Sequence, residues 1–270
     1  MQQLTGKAVI LTGASQGLGA VTAHALAAAG ADLVLAARSG DKLTEVAHSL
    51  PAGTRVITVR CDVTEASDRE ALVHAALETF GRVDVLVNNA GIEELCFYAE
   101  QDPAVIPQVI ETNLIAPMLL ARALLPAMLA RGSGHIVNIA SLAGRTGMPF
   151  GAAYSGSKGG LAEWSISLAA ELSGSGVAVS VVCPGFVDGT GMFSRKHVDA
   201  PKSLGVSHPE EVAQAVLKVL ETRKVEVVVN PKPVRLLMAL RALSPETALA
   251  LSRKLGLLDF LKRIARRPGV

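Results

Sequence analysis

Seven short apolar runs, separated by helix-length segments, limit what this chain can fold into more than any other feature. The runs are Lys7–Leu11, Asp32–Ala37, Val56–Val59, Val83–Val87, His135–Ile139, Val177–Val182 and Val225–Val229. Between them lie a helical stretch ending at a capping Gly30, then Asp41–Leu50, Ser67–Phe80, Pro103–Arg131, Tyr154–Ser173 and Pro209–Glu221. Strands that are apolar throughout, rather than on alternate residues, have both faces covered, and the intervening helices supply the cover. The chain is therefore predicted to be α/β, with a doubly wound parallel sheet of about seven strands. Ser207, with Glu210 three residues later, reads as a capping box opening the last of these helices.

Composition narrows the function. Of the 270 residues 50% are hydrophobic and only 3% aromatic, which suits a tightly packed core and not the stacking platforms of a nucleic-acid binder. The formal charge of +2 points to no class of partner. Cys61, Cys96 and Cys183 are widely spaced and odd in number, and the six histidines lack ligand spacing. Neither a disulfide framework nor a metal site is expected. Met1-Gln2-Gln3 runs straight into a strand without a leader pattern. The stretch Leu114 to Ala130 is the most membrane-like, but Arg122, Pro117 and Pro126 interrupt it, so it reads as a buried or interface helix. The expectation is a soluble cytoplasmic protein.

Ligands of a parallel sheet bind at the carboxyl ends of its strands, and the distinctive residues cluster there. After the first run comes Thr12-Gly13-Ala14-Ser15-Gln16-Gly17-Leu18-Gly19, opening a helix. Glycines there allow a tight turn and bring backbone N–H groups close to a pyrophosphate at the helix's positive end. The second run ends in Ala37-Arg38, where an NAD site usually places a carboxylate for the ribose 2′-hydroxyl. A guanidinium there pairs with a 2′-phosphate instead, so NADP(H) is favoured over NAD(H). Asp62, with Val63 beside it, is placed to accept from the adenine amino group, or alternatively to cap the turn before Thr64.

Tyr154 and Lys158 lie four apart on a predicted helix, hence on one face, and Ser141 leaves the end of the fifth run. A phenol titrates near pH ~10. An ammonium ~4 Å away, at an effective dielectric of ~20, contributes on the order of 4 kcal/mol, or roughly three pK units. That brings tyrosine to the range a general acid/base needs near neutrality. Ser141 would donate a hydrogen bond to a carbonyl oxygen in the same crevice.

Taken together, Thr12-Gly13-x-x-x-Gly17-x-Gly19, Asn88-Asn89-Ala90-Gly91, Ser141, Tyr154-x-x-x-Lys158 and Pro184-Gly185 resemble, in order and spacing, the short-chain dehydrogenase/reductase family over residues 5 to 230. The resemblance implies a Rossmann-like catalytic domain, 1–230, followed by a basic helical extension, 231–270. It implies Tyr154 as general acid/base, Lys158 lowering its pKa and holding the nicotinamide ribose, and Ser141 orienting the carbonyl or alcohol. Asn113 matches the asparagine that kinks a helix and holds a relay water. Asn89, Ala90 and Gly91 resemble the stretch lining the adenine ribose, and Asn88 the residue pinning the sheet. Val187 matches the backbone contact to the carboxamide, and Thr190 the loop threonine, displaced by an inserted Gly189. A homodimer or homotetramer through Pro103–Arg131 and Tyr154–Ser173 is also implied. Gly156, Gly159 and Gly160, in or beside the catalytic helix, each cost up to ~1 kcal/mol against alanine, so a close approach is expected.

The function implied is an NADP(H)-dependent oxidoreductase interconverting a ketone and a secondary alcohol. A carrier-bound 3-oxoacyl reductase and a non-catalytic nucleotide-sensing scaffold are the alternatives. Asp188 to Ser207 has the composition of a lid, with Met192, Phe193 and Val198 as apolar contacts. Cys96, Phe97, Met148, Phe150 and Phe193 suggest a mostly apolar pocket for a small hydrophobic carbonyl or alcohol, or else core packing under loops. From Pro231 to Arg267, amphipathic segments carry nine cations, faced in this region only by Glu226, Glu246 and Asp259, with a helix starting at Ser244-Pro245-Glu246 and one ending at Gly256. Such a tail covers its own cleft, packs in a subunit interface, or lies on an anionic membrane.

Overall fold

A computed structural model describes residues 4–188 and 205–266. Seven strands form one sheet: β1 (Ala8–Thr12), β2 (Asp32–Ala37), β3 (Val56–Arg60), β4 (Val85–Asn88), β5 (Gly134–Ile139), β6 (Val177–Pro184) and β7 (Glu226–Val229). Their order is β3-β2-β1-β4-β5-β6-β7, every pair parallel. The chain winds outward one way to β3, then crosses to β4 beside β1 and winds the other way. The carboxyl ends of β1 and β4 therefore flank the switch point where such sheets bind ligands.

The alternating strand side chains feed two covered faces, as the apolar runs require. Val9, Leu11, Leu33 and Leu35 pack with Leu26 of α1 (Gly17–Ala28), Leu43 of α2 (Gly40–Ser49) and Val212, Val216 and Val219 of α8 (Pro209–Thr222). Ile10, Val34, Leu86 and Ile136 turn the other way. They meet Leu72 of α3 (Ala66–Phe80), Leu120 and Leu124 of α5 (Ala116–Arg131), and Leu172 just past α7 (Ala152–Glu171). The segment Leu114 to Ala130 thus lies largely in α5, with Leu120, Leu124 and Met128 turned to the sheet.

Several elements depart from their sequence expectations. The helix expected over Pro103–Arg131 is α4 (Val105–Ile110) joined to α5 through a π-helical turn at Glu111–Ile115 that carries Asn113. Its amide hydrogen-bonds outside the helix, which fits the wider turn. A short helix not foreseen, α6 (Leu142–Thr146), follows β5, with Ser141 as its N-cap. The capping box of α8 is displaced by one residue. His208 is the N-cap, and its N–H donates to Glu211 Oε2 at 2.7 Å, while Ser207 is buried. Ser207 is drawn out of the cap because its backbone pairs with Phe186 and Asp188. At the base of β4, Asp84 accepts two hydrogen bonds from Arg82, at 2.9 and 2.7 Å, and one from the Ala8 N–H at 3.0 Å. Burial alone would raise its carboxyl, but these bonds outweigh it and hold the group below the ordinary carboxylate range.

His135 opens the buried centre of β5. Its Nε2 lies 2.8 Å from Ser180 Oγ, whose hydroxyl donates to the Lys224 carbonyl at 2.7 Å. Burial, with Arg223 nearby, pushes the imidazole down to about 4. An unfolded histidine titrates near ~6.5. Between those values the unfolded chain binds a proton the folded one refuses, so stability is lost as pH falls through this window. The loss amounts to about 3 kcal/mol. Urea unfolding at successive pH values should show it, and His135→Gln should remove that loss.

Candidate active site

The turn after β1 is built for close backbone approach. Gly13 and Gly17 have φ of 66° and 59°, where side chains are disfavoured. A Cβ on Gly13 would lie 2.8 Å from Ala90 Cα, and one on Gly19 would lie 2.0 Å from the Gly13 carbonyl oxygen. Asn89 Nδ2 donates to the carbonyls of Thr12 and Gly13 at 3.0 and 3.1 Å, and Thr12 Oγ1 accepts from the N–H groups of Asn89 and Ala90. Asn89 therefore supports the turn with its side chain as well as bordering the cleft. The first turn of α1 carries no acidic residue and no side-chain cap. A cradle a Cβ would fill, at an uncapped helix start, fits the pyrophosphate of a dinucleotide.

One cleft of about 840 Å³ joins this turn to the ends of the other strands. Ser15, Gln16, Gly17 and Leu18 line it on one side, and Arg38, Asp62 and Val63 continue the wall. Ser39 and Lys42 lie there too, and sequence reasoning passed over both. Asp62 commits one oxygen to the N–H and hydroxyl of Thr64, at 3.0 and 2.7 Å, and still borders the cleft. Burial raises its carboxyl, but the Thr64 hydrogen bonds and the Arg38 charge leave it below the usual value. Asn89, Ala90, Gly91, Pro184, Gly185 and Val187 close the middle of the cleft. Gly185 packs against β7's end, where a Cβ would meet Asn230 Oδ1 at 2.4 Å. Around Val187 the pairing with Ser207 runs through the flanking Phe186 carbonyl and Asp188 N–H. Thr190, and Met192, Phe193 and Val198 of the expected lid, lie outside the described residues.

Ser141, Tyr154 and Lys158 come together at the carboxyl ends of β5 and β6. The Lys158 ammonium donates to the Ile139 carbonyl at 2.7 Å, and the Ser141 side chain stands beside the Tyr154 phenol. Ser141 Oγ also accepts from the Ala143 N–H at 3.1 Å. Burial brings the ammonium down to about 8. The expected pull of Lys158 on the phenol is not met in this arrangement. Burial is the largest influence and pushes Tyr154 above its ordinary value, Glu93 adds to it, and the neighbouring Ser141 hydroxyl only partly opposes. The reason is that both groups are desolvated, and the ammonium points at a strand-end carbonyl. Asn113, fully buried, accepts from the Ile92 N–H at 2.8 Å and donates to the Ile92 carbonyl and Ser157 Oγ at 2.9 and 3.0 Å. It bridges the π-turn, the loop after β4 and α7.

The substrate end differs from the sequence expectation. Of the five residues expected to wall the pocket, Met148 does so. Phe97 and Phe150 instead stack edge to face, 5.1 Å between centroids, and the Cys96 N–H donates to the Phe150 carbonyl. The apolar wall comes from Leu95, Phe186, Val234, Leu237 and Leu257. Three of these belong to the C-terminal segment, which forms α9 (Arg235–Leu243), α10 (Pro245–Lys254) and α11 (Leu257–Ala265). Phe260, Leu261 and Ile264 of α11 are buried against Leu95, Met148, Phe150 and Phe186. Arg145 was also missed. Its guanidinium pairs with Glu163 of α7 and, at 2.8 Å, with Glu226 of β7, while its carbonyl accepts from Arg241 of α9 at 2.6 Å. Partners this far apart in sequence leave no local pattern to read.

A glycine-cradled parallel sheet with a serine, a tyrosine and a lysine at the carboxyl ends of its strands defines a dinucleotide-dependent oxidoreductase. Residues 7–200 match the family model for short chain dehydrogenase, and the chain belongs to that family. It is an NAD(P)-dependent oxidoreductase. It is 44% identical to the ketoacyl reductase HetN of Nostoc sp. over 98% of this chain and 94% of that protein. It is 37% identical to dehydrogenase/reductase SDR family member 7B of Bos taurus, over 88% of this chain and 77% of that one. Among solved structures, a metagenomic short-chain oxidoreductase in complex with NADP superposes with a TM-score of 0.72 at 37% identity, covering 86% of this chain and all of that one. Levodione reductase does so with a TM-score of 0.79 at 27% identity, covering 84% and 97%.

The glycines of the catalytic helix separate by cause. A Cβ on Gly159 would lie 3.0 Å from the Gly144 carbonyl oxygen, and one on Gly160 3.0 Å from a Leu114 methyl, whereas one on Gly156 would meet nothing within 4 Å. Gly156→Ala should therefore raise stability by about 1 kcal/mol. Gly144→Ala places a methyl 2.5 Å from Gly159 N and should destabilise by about 1–3 kcal/mol, prising α6 from α7. Thermal melts of the two variants read both signs.

Proposed function

We propose that the protein is an NADP(H)-dependent reductase of an apolar carbonyl compound, with Tyr154 as proton donor. The observation that carries this reading is the grouping of Ser141 and Tyr154 beside a buried Lys158, between a glycine cradle and an apolar wall. When bound, the dinucleotide supplies the hydride. Ser141 holds the substrate oxygen, and Tyr154 donates its proton as that oxygen gains charge. A phenol held above its ordinary value by burial is protonated at neutral pH, the state reduction needs. The Lys158 ammonium, one turn further along α7, is assigned to the nicotinamide ribose. Asn113 Oδ1 and Lys158 Nζ flank the same face of Gly91, which supports assigning them to the return path of the proton.

Arg38 supports the choice of NADP(H). It is exposed at the end of β2 with Ser39 and Lys42 on the same wall, a set of donors suited to a 2′-phosphate. A homodimer or homotetramer through α5 and α7 belongs to the same reading. Within it, a 3-oxoacyl chain is the favoured carbonyl, because an apolar wall running from Leu95 to Leu257 suits an extended chain and because of the ketoacyl reductase relative.

Titration with NADPH and NADH in parallel tests the cofactor. Arg38→Ala should weaken NADPH by about thirtyfold, the loss of a charge-assisted pair worth about 2 kcal/mol, and leave NADH unchanged. Equal affinity of the wild type for both would overturn the role of Arg38. A screen of 3-oxoacyl thioesters of graded length, with Tyr154→Phe as control, tests the chemistry. The variant should bind NADPH normally and lose about a hundredfold or more in turnover. Reductive turnover should also fall as pH rises through about 8, because Lys158 then loses its charge. A pH–rate profile in the reductive direction checks this.

A further inference from the structure

We propose that the α9–α10 hairpin docks this enzyme on the surface of an anionic lipid bilayer. Its inner face is accounted for: Val234 and Leu237 line the cleft, Ala248 is buried, and Arg241 donates to the Arg145 carbonyl. The outer face presents leucine to solvent. Leu236 and Leu243, seven residues apart on α9 and so on one side of it, are 78% and 86% exposed, and Leu249 of α10 is 55% exposed. Lys232, Arg235, Arg253 and Lys254 are exposed around them, and Glu246 is the only carboxylate between residues 231 and 256.

Charge and side-chain type together select the occupant. A chain with a formal charge of only +2 overall gathers four exposed cations around this one leucine-bearing hairpin. Leucines flanked by lysine and arginine on short helices are the pattern of a helix lying in the headgroup layer, apolar side down and cations among anionic lipids. A protein partner would more usually be met by aromatic anchors, and residues 231–259 contain none. The docked face adjoins the cleft wall formed by Val234 and Leu237, so an apolar carbonyl leaving the bilayer would enter beside the site. The proposal holds whichever carbonyl is reduced.

Flotation of the full-length chain with vesicles tests it, using phosphatidylcholine alone and an equal mixture of phosphatidylcholine and phosphatidylglycerol. The protein should float with the mixed vesicles, not with phosphatidylcholine alone, and should be released by high salt. Arg253→Gln/Lys254→Gln removes two cations worth about 1 kcal/mol each near such a surface, so affinity should drop about thirtyfold. Leu236→Ser/Leu243→Ser should lower it by about tenfold or more, while circular dichroism and NADPH affinity stay at wild-type values. If the leucine pair fails to fold, the cation pair carries the test alone. Absence of binding to the mixed vesicles would overturn the proposal, as would undiminished binding by either variant. So would sedimentation showing that the leucine face joins two copies of the chain, with the assembly dissociating in the leucine variant.

Discussion

A lysine whose side chain is almost wholly removed from water has to be hydrogen-bonded or neutral, and the rest of this site is arranged around that demand. Lys158 is 3% exposed, and the carbonyl that receives it belongs to Ile139, the last residue of β5. That bond ties α7 to the end of β5. One turn earlier on the same helix, Tyr154 then reaches Ser141, which leaves the same strand two residues after Ile139. The chain crossing beneath leaves little room for a side chain. A Cβ on Gly91 would stand 3.1 Å from Asn113 Oδ1 and 3.3 Å from Lys158 Nζ. Lys158 thus joins strand end and helix, while Asn113 joins the π-turn, the loop after β4 and the same helix.

A second polar system fixes the sheet beneath. Asn88 of β4 donates to Asn138 of β5 at 2.8 Å, and Asn138 donates to Ser165 of α7 at 2.8 Å. These groups lie in otherwise aliphatic layers, where a mismatched partner would leave an amide unsatisfied. They therefore specify the register between strands and the rotation of α7 more sharply than valine or isoleucine contacts could.

The parts legible in the sequence were those with a local period or a fixed local spacing. Apolar runs gave the strands to within a residue or two, and the glycine positions gave the turn after β1. What stayed hidden depended on residues distant along the chain. The capping box moved from Ser207 to His208 because pairing with Phe186 and Asp188, about twenty residues away, claims the Ser207 backbone. Phe97 and Phe150 looked like pocket walls by composition, yet their mutual stacking turns them from the cleft. The environment of Tyr154 was misread for a related reason. Spacing places a lysine on the same face, but it does not report how thoroughly both groups are desolvated, or that Glu93 lies near.

Part of the cleft's apolar wall and the Ser141, Tyr154 and Lys158 group come from different stretches of the chain. Ser141, Tyr154 and Lys158 belong to the sheet and its covering helix, whereas Val234, Leu237 and Leu257 follow the last strand. Substrate choice can therefore drift in evolution through the last forty or so residues while the reaction centre stays unchanged, much as an interchangeable jaw is fitted to a fixed vice. The joint is not wholly free. Arg241 reaches back to the Arg145 carbonyl, and the Arg145 guanidinium ties Glu163 and Glu226 together. A grafted tail would have to bring its own donor to that carbonyl, or the helix carrying Ser141 at its start would lose one of its moorings.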